Sequence, residues 1–202
     1  MNLKSQICGM ISLGVLMLTG MTSSALAQDN MSMNSNMMMM SSMDQKFMMM
    51  AARGGMAEIE MARVALQKSS NDAVKQYAQK MIDDHTMAGD ELKQLASTKG
   101  VSLPMEPDAR QMAMMAKMQN MSSMDFDMKY VKEAGVKAHQ DMEKLFMKES
   151  MSGKDMETKA FAAKTLPVVR MHLQMAREMM MSMKGMKKGM KNGMSGMNSS
   201  GK

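Results

Sequence analysis

Cysteine is almost absent from this sequence of 202 residues, and the single one, Cys8, lies near its start. The rest of the chain therefore has no thiolate for a metal or redox site and no disulfide. The sequence also lacks a C-x-x-C pair, a phosphate-binding glycine loop and a recognisable Ser/His/Asp arrangement. These absences favour a binding protein over an enzyme.

Aromatic residues are scarce as well, with four Phe, two Tyr and no Trp against 40 Met. A core with so few rings has to be filled by Met and Ala, which pack softly and specify a fold poorly. Met, Ala, Lys, Gln and Glu are good helix formers. The composition therefore predicts an all-α protein whose fold depends on helix propensity and on periodic patterning.

Long apolar runs are missing, so no segment is suited to span a bilayer. Residues 1–27 combine Lys4, a short apolar run at residues 11–18 and the small-residue site Ala25-Leu26-Ala27. This pattern is typical of a secretory signal peptide that is cleaved near Ala27, with an uncleaved anchor as the alternative. We therefore expect a periplasmic or secreted protein.

The body of the chain has no excess of basic over acidic side chains, although the net charge of the whole sequence is +6. Lys4 and the five lysines of residues 184–202 account for that excess, and residues 28–183 carry 20 basic and 20 acidic side chains. This balance argues against nucleic acid as a partner. The Gly/Met/Lys-rich tail at residues 184–202 is predicted to be flexible and suited to weak contact with an anionic envelope surface.

Between a Met/Ser/Asn-rich, flexible segment at residues 28–43 and the tail, residues 44–183 contain four helical patterns. Each pattern follows an S-x-x-D capping signal, and the four signals begin at Ser41, Ser69, Ser122 and Ser152. The connection between the second and third helices contains two prolines and a Met/Ala run suited to a short helix. It is long enough to cross the length of a bundle. These features predict an antiparallel four-helix bundle with a long crossover between helices two and three.

Each helix carries one ionisable residue on its apolar face. The clearest case is the second helix, whose inward stripe comprises Val74, Ala78, Met81, His85, Ala88, Leu92 and Leu95. Glu58, His139 and His172 occupy corresponding positions on the first, third and fourth helices. Counting residues from the shared turns places all four at a similar depth, with Glu143, Glu60 and Asp84 nearby.

One imidazole or carboxylate from each of four helices suits a transition-metal site. A buried network in which carboxylates and water satisfy the three histidines is the alternative. We count Glu143 as a further candidate ligand.

A series of residues between about 44 and 180 follows a recognisable order and spacing, and it includes Phe47, Gly55, Glu58, Val74-Lys75, Asp84-His85, Leu103-Pro104, Phe126-Asp127, Tyr130, His139, Phe146, Phe161-Ala162, Leu166-Pro167 and His172-Leu173. In these residues the sequence resembles the exported bacterial domain-of-unknown-function family 4142, which is regarded as ferritin-like. The resemblance implies an up-down bundle with recurring polar positions at Glu58, His85, His139 and His172, and it supplies no activity.

Comparison with di-iron bundles shows what this sequence lacks. Such bundles use Glu-x-x-His motifs, but Ile82, Val136 and Val169 precede the three histidines by three residues. A mononuclear site for copper or zinc fits better than a di-iron site.

Methionine is concentrated at both ends of the mature chain, at residues 31–43 and 183–197. Thioethers select Cu(I), so Met186, Met190 and Met194 are candidate soft ligands. Alternatively, exposed methionines act as an oxidant sink, because oxidation to the sulfoxide is reversible, and the histidines are then only a polar network. The preferred interpretation is an exported metal-binding protein, copper above zinc, for envelope metal or stress handling.

Overall fold

The computed structural model describes residues 40–197, which are all-α, with five helices and no strand in that range. The helices are α1 (Ser42–Lys68), α2 (Asp72–Thr98), α3 (Ala109–Gln119), α4 (residues 123–152) and α5 (Met156–Met197). In α4, a π-helical segment at Val131–Lys137 separates two α-helical parts, Ser123–Tyr130 and Ala138–Ser152. None of these helices is both long enough and apolar enough to cross a membrane. The predicted signal peptide and most of the segment at residues 28–43 lie outside the described residues.

Side-chain caps set where the helices begin. Ser41 and Ser122 cap α1 and α4, as the capping signals predict. The predictions at Ser69 and Ser152 are wrong, because Asn71 caps α2 and the Asp155 carboxylate accepts from the Thr158 N–H at the start of α5. In both places a capping side chain of similar strength stands two or three residues downstream of the serine.

The four long helices form two hairpins that pack against each other. In the first hairpin α1 lies along α2, and in the second α4 lies along α5. Across the hairpins, α2 contacts α5 and α1 contacts α4, while the short α3 rests on α1 and α4. Each long helix therefore buries its apolar face against two neighbours.

The few aromatic residues are all buried, and they are divided between two apolar clusters. One cluster, which we call the Tyr cluster, contains Tyr77, Phe126 and Tyr130 with Met61 and Met81. The other, the Phe cluster, is built around the three rings Phe47, Phe146 and Phe161. Along every long helix the residues of the two clusters occupy different stretches, and this leaves a layer between them for other side chains.

The last helix differs from its prediction in two respects. It continues through Pro167 to Met197, past Met183, where the sequence predicts its end. Extending a packed helix requires no new nucleation, and Met and Lys favour the helical state strongly enough to offset the glycines. The helical spacing of Phe161, Thr165, Val168 and His172 predicts that Val168 faces inward. The inward face is turned slightly from this prediction, because Val169 is buried whereas Val168 is only half-buried.

Candidate metal centre

A polar layer lies between the Tyr and Phe clusters, and each long helix contributes one residue to it. We call Glu58, His85, His139 and His172 the central cluster. On α2, for example, His85 falls between Met81 of the Tyr cluster and Leu92 of the Phe cluster. His139 and His172 are completely buried, and Glu58 and His85 are at most 8% exposed. The convergence that the sequence predicts for these four residues is therefore present in the structure.

The three histidines of the central cluster lie within reach of one shared ion, and the Glu58 carboxylate contacts two of their rings. Glu58 places Oε2 3.2 Å from His85 Nε2 and Oε1 3.5 Å from His139 Nδ1. One ring nitrogen from each of the three histidines lies within 4.8 Å of the other two. Ligand atoms around a tetrahedral Zn²⁺ are about 3.3 Å apart, so each ring would need to move by about 1 Å or less.

Two of the three rings are held by hydrogen bonds that leave the other nitrogen free. His139 donates from Nδ1 to the carbonyl oxygen of Ala134 at 3.0 Å, and His172 donates from Nε2 to Asp84 Oδ2 at 2.7 Å. Both acceptors are oxygens without a hydrogen, which fixes the tautomer. The lone pairs therefore lie on His139 Nε2 and His172 Nδ1. Metal-binding histidines characteristically donate their second N–H to a carbonyl or carboxylate in this manner.

Five buried oxygen and nitrogen atoms of the central cluster, each with a lone pair that could bind a metal, have no hydrogen-bond partner in the described structure. They are Glu58 Oε1 and Oε2, His85 Nε2, His139 Nε2 and His172 Nδ1. Leaving a buried polar atom unpaired costs roughly 1–3 kcal/mol. A cation that accepts all of these lone pairs would remove that cost, whereas additional hydrogen-bond acceptors would not.

Burial keeps the central cluster free of net charge at neutral pH. It lowers the pKa of His85 to about 3, with a further contribution from the neighbouring imidazoles, and it lowers the pKa of His139 to about 4. The pKa of His172 is also lowered by burial, against the opposing effect of Asp84. Burial raises the pKa of Glu58 to about 8. All three imidazoles are therefore neutral and ready to bind a metal, while Glu58 holds one exchangeable proton.

A cavity of about 460 Å³ between α1, α3 and α4 reaches the central cluster at Glu58. Its wall includes thioethers of Met50, Met61, Met114 and Met142. Gly54 makes room for one of them, because a Cβ at Gly54 would lie 2.9 Å from the Met142 methyl carbon. The cavity therefore ends at Glu58, whose carboxylate oxygens are themselves buried.

The π-helical segment of α4 lies directly beside the central cluster, and sequence analysis does not identify it. It supplies the Ala134 carbonyl that orients His139, and it contains Gly135. A Cβ at Gly135 would lie 2.8 Å from Ala176 Cβ, so this glycine allows α4 to approach α5 closely. A glycine between apolar residues is the one available sequence signal, and π-segments are often found at functional sites.

Not every candidate from the sequence reaches the central cluster. Glu143 instead accepts from Arg170 Nε at 2.8 Å on the surface, and Glu60 pairs with Arg63 in an exposed position. Both point away because they follow the inward positions by one or two residues on their helices. Met186 is 55% exposed and lies elsewhere, and the side chains of Met190 and Met194 are outside the described residues.

Comparison with known proteins gives a family and a fold. The family model described as "Domain of unknown function (DUF4142)" matches residues 29–179. No curated protein matches the chain. The crystal structure of a DUF305 fragment from Deinococcus radiodurans is similar, with a TM-score of 0.61 and 11% identity, covering 70% of this chain and 97% of that chain. At this identity the similarity concerns the fold alone.

Proposed function

Because the chain belongs to the DUF4142 family, whose description assigns no activity, we propose a function from the central cluster itself. The protein binds one transition-metal ion through Glu58, His85, His139 and His172. The observation that carries this proposal is the convergence of five buried, unpartnered donor atoms from four helices. The hydrogen bonds that orient His139 and His172 further support it.

The donor set favours copper, with zinc as the alternative. Three imidazoles and one carboxylate suit both ions, and for a given site of this kind Cu²⁺ binds more tightly than Zn²⁺. Glu58 is the single carboxylate of the central cluster, whereas a di-iron centre needs several carboxylates to hold and bridge its ions. The site is therefore mononuclear.

The arrangement of the helices supports a four-helix bundle of the ferritin-like type. Each long helix contacts two others, and the connection from α2 to α4, which contains α3, is long enough to cross the bundle. Bundles of this type place metal sites between facing helices, and the central cluster occupies that position.

An exported location is consistent with this role. The signal-like residues 1–27 would direct the chain to the periplasm or the outside, where a metal-binding protein without disulfides serves in envelope metal or stress handling. The mass of protein isolated from the envelope checks the cleavage near Ala27. Release from anionic vesicles by moderate salt tests the weak surface contact of the cationic tail.

An oxidant sink is a second candidate function, and one observation favours it. Every large hydrophobic residue that is exposed among the described residues is a methionine, including Met87, Met105 and Met156. Exposed thioethers oxidise readily and are restored by reductases. Sulfoxide that accumulates at these positions under oxidant, in protein that holds no stoichiometric metal, would favour the sink over the metal site.

Metal analysis of matched variants tests the proposal. Protein purified from its native compartment is compared with Glu58→Gln, His85→Ala and the surface control Glu143→Gln. We expect one ion per chain in the wild type and in Glu143→Gln, and strong loss of metal in the other two. Circular dichroism verifies that the variants remain helical. Absence of stoichiometric metal from the wild type, together with no uptake of copper or zinc in competition with a metal chelator, would refute the proposal.

A further inference from the structure

A second cavity, of about 540 Å³, lies at the end of the molecule where α1 turns into α2 and where α4 begins beside the distal part of α5. Its nine lining residues include four methionines and one buried acid, and they comprise Ser70, Asn71, Ser123, Met124, Asp127, Met128, Met183, Met186 and Lys187. We call it the Asp127 cavity. Its thioethers come from two different helices, so they surround the space from two sides.

Asp127 is the unusual residue of this cavity. It is 7% exposed, and its Oδ1 has no hydrogen-bond partner in the described structure, although Lys187 lines the same space. Burial raises the pKa of this carboxyl group, while Ser69 opposes the shift with a hydrogen bond. A buried carboxylate oxygen without a partner is costly, and four methionine side chains line the same space as this oxygen's residue.

Four thioethers and one carboxylate oxygen form a donor set for a soft monovalent cation. Thioether sulfur prefers Cu(I) over Zn²⁺ and over harder ions, and the carboxylate balances the single positive charge. We propose that the Asp127 cavity is a second metal site, which binds Cu(I) through Asp127 and through thioethers drawn from Met124, Met128, Met183 and Met186.

This site differs from the soft sites that the sequence predicts. The sequence groups Met186 with Met190 and Met194 along one flexible tail. In the structure Met186 lies instead across from Met128, which belongs to another helix. Met183 is eleven residues after His172 on α5, which corresponds to about 16 Å along a helix. The Asp127 cavity is therefore separate from the central cluster and does not depend on it.

The test uses anaerobic Cu(I) titration of the full-length chain against a colorimetric Cu(I) chelator, in a His85→Ala background that disables the central cluster. Met128→Leu/Met183→Leu removes two thioethers while it preserves side-chain size. Met87→Leu/Met105→Leu, at exposed positions outside the cavity, is the matched control. We expect the cavity variant to lose the tightest Cu(I) equivalent, with affinity at least about tenfold lower, and the control to retain it.

Asp127→Asn provides an independent arm, since it keeps the shape of the side chain and removes its charge. We expect weaker Cu(I) binding and unchanged helicity. In the wild type, the methyl NMR signals of the labelled cavity methionines should shift when Ag(I) is added. In the cavity variant, the signals of the two remaining cavity methionines, Met124 and Met186, should not shift. Equal Cu(I) affinity in the cavity variant and the control, with both folded, would overturn the assignment even if the central cluster binds metal.

Discussion

Asp84 and His172 are 88 residues apart in sequence, yet Asp84 Oδ2 accepts a hydrogen bond from His172 Nε2 at 2.7 Å. Asp84 directly precedes His85, so α2 supplies one histidine of the central cluster and orients another on α5. Lys80, one turn earlier, lies 3.0 Å from the same carboxylate. Hydrogen bonds from Lys80 and His172 help to hold the pKa of Asp84 below its usual value, against the effect of burial. Asp84 therefore remains a charged acceptor at neutral pH.

Removing the Asp84 carboxylate should weaken metal binding without removing a ligand. In Asp84→Ala the ring of His172 loses the bond that fixes its tautomer and orientation. We expect metal affinity to fall by about 10–100-fold, with a smaller loss in Asp84→Asn, whose amide oxygen still accepts. Asp83→Asn is the matched control, since Asp83 is exposed and bonds Gln79 on the surface. Competition with a metal chelator measures the affinities, and equal values in Asp84→Ala and Asp83→Asn would contradict the prediction.

The central cluster could be predicted because the histidines lie on regular apolar stripes. His85 keeps the helical spacing from Val74 to Leu92, and counting from the turns places Glu58 at its level. The π-helical segment could not be predicted in the same way, since an i→i+5 hydrogen bond, such as that from Ala138 N–H to the Glu133 carbonyl, leaves no sequence period. A backbone ligand-orienting group such as the Ala134 carbonyl also has no side-chain signature.

Other predictions were wrong because the sequence offered two similar choices. Val168 and Val169 are both apolar, so the pattern alone could not fix which of them turns inward. In a Ser-rich chain, Asn71 and Asp155 competed with nearby serines for the cap positions and prevailed.

Metal binding should release one proton per ion near neutral pH. The three imidazoles are already neutral, whereas Glu58, with a pKa of about 8, is protonated before an ion binds. We expect the affinity to rise about tenfold per pH unit between pH 5 and 8 and to level off above pH 8. Glu58→Gln should bind more weakly and show no such slope. Calorimetry in two buffers of different ionisation enthalpy counts the protons. A count of two would show that an imidazole also loses a proton.

The close contact between Gly135 and Ala176 should make α4 intolerant of a side chain. In Gly135→Ala the new methyl would lie 2.8 Å from Ala176 Cβ, so the helices must separate at the level of the central cluster. We expect destabilisation of about 1–3 kcal/mol. The control is Gly89→Ala on α2, where a Cβ meets nothing within 4 Å and where alanine should stabilise the helix by about 0.5–1 kcal/mol. Urea denaturation measures the stability of both variants. The same change in stability for Gly135→Ala and Gly89→Ala would exclude a steric role for Gly135.

A further buried acid, Glu149, lies at the turn between α4 and α5. It is 2% exposed and its carboxyl group lies beside that of Asp44, whose carboxylate accepts the backbone N–H groups of Lys154 and Asp155 at 2.9 and 3.1 Å. Asp44 thus ties the start of α1 to the start of α5. Burial first, and then the hydrogen bond and charge of Asp44, raise the pKa of Glu149 to about 7. At lower pH the protonated Glu149 donates to Asp44, and at higher pH two carboxylates face each other.

Stability should therefore fall as the pH rises through 7. A carboxyl group whose pKa is higher in the folded state than in the unfolded state stabilises the fold fully below the unfolded value, near 4.5, and that stabilisation disappears above the folded value. Glu149→Gln keeps a donor to Asp44 and cannot ionise. We expect the variant to gain on the order of 2–3 kcal/mol over the wild type between pH 5 and 8.

Urea denaturation of metal-free protein measures this gain. Because Glu58 titrates in the same range in both proteins, only the difference between them is informative, and Glu143→Gln on the same helix should show none. Parallel stability curves for wild type and Glu149→Gln would mean that Glu149 is already ionised in the folded state, and the link between Asp44 and α5 would then have to hold without its proton.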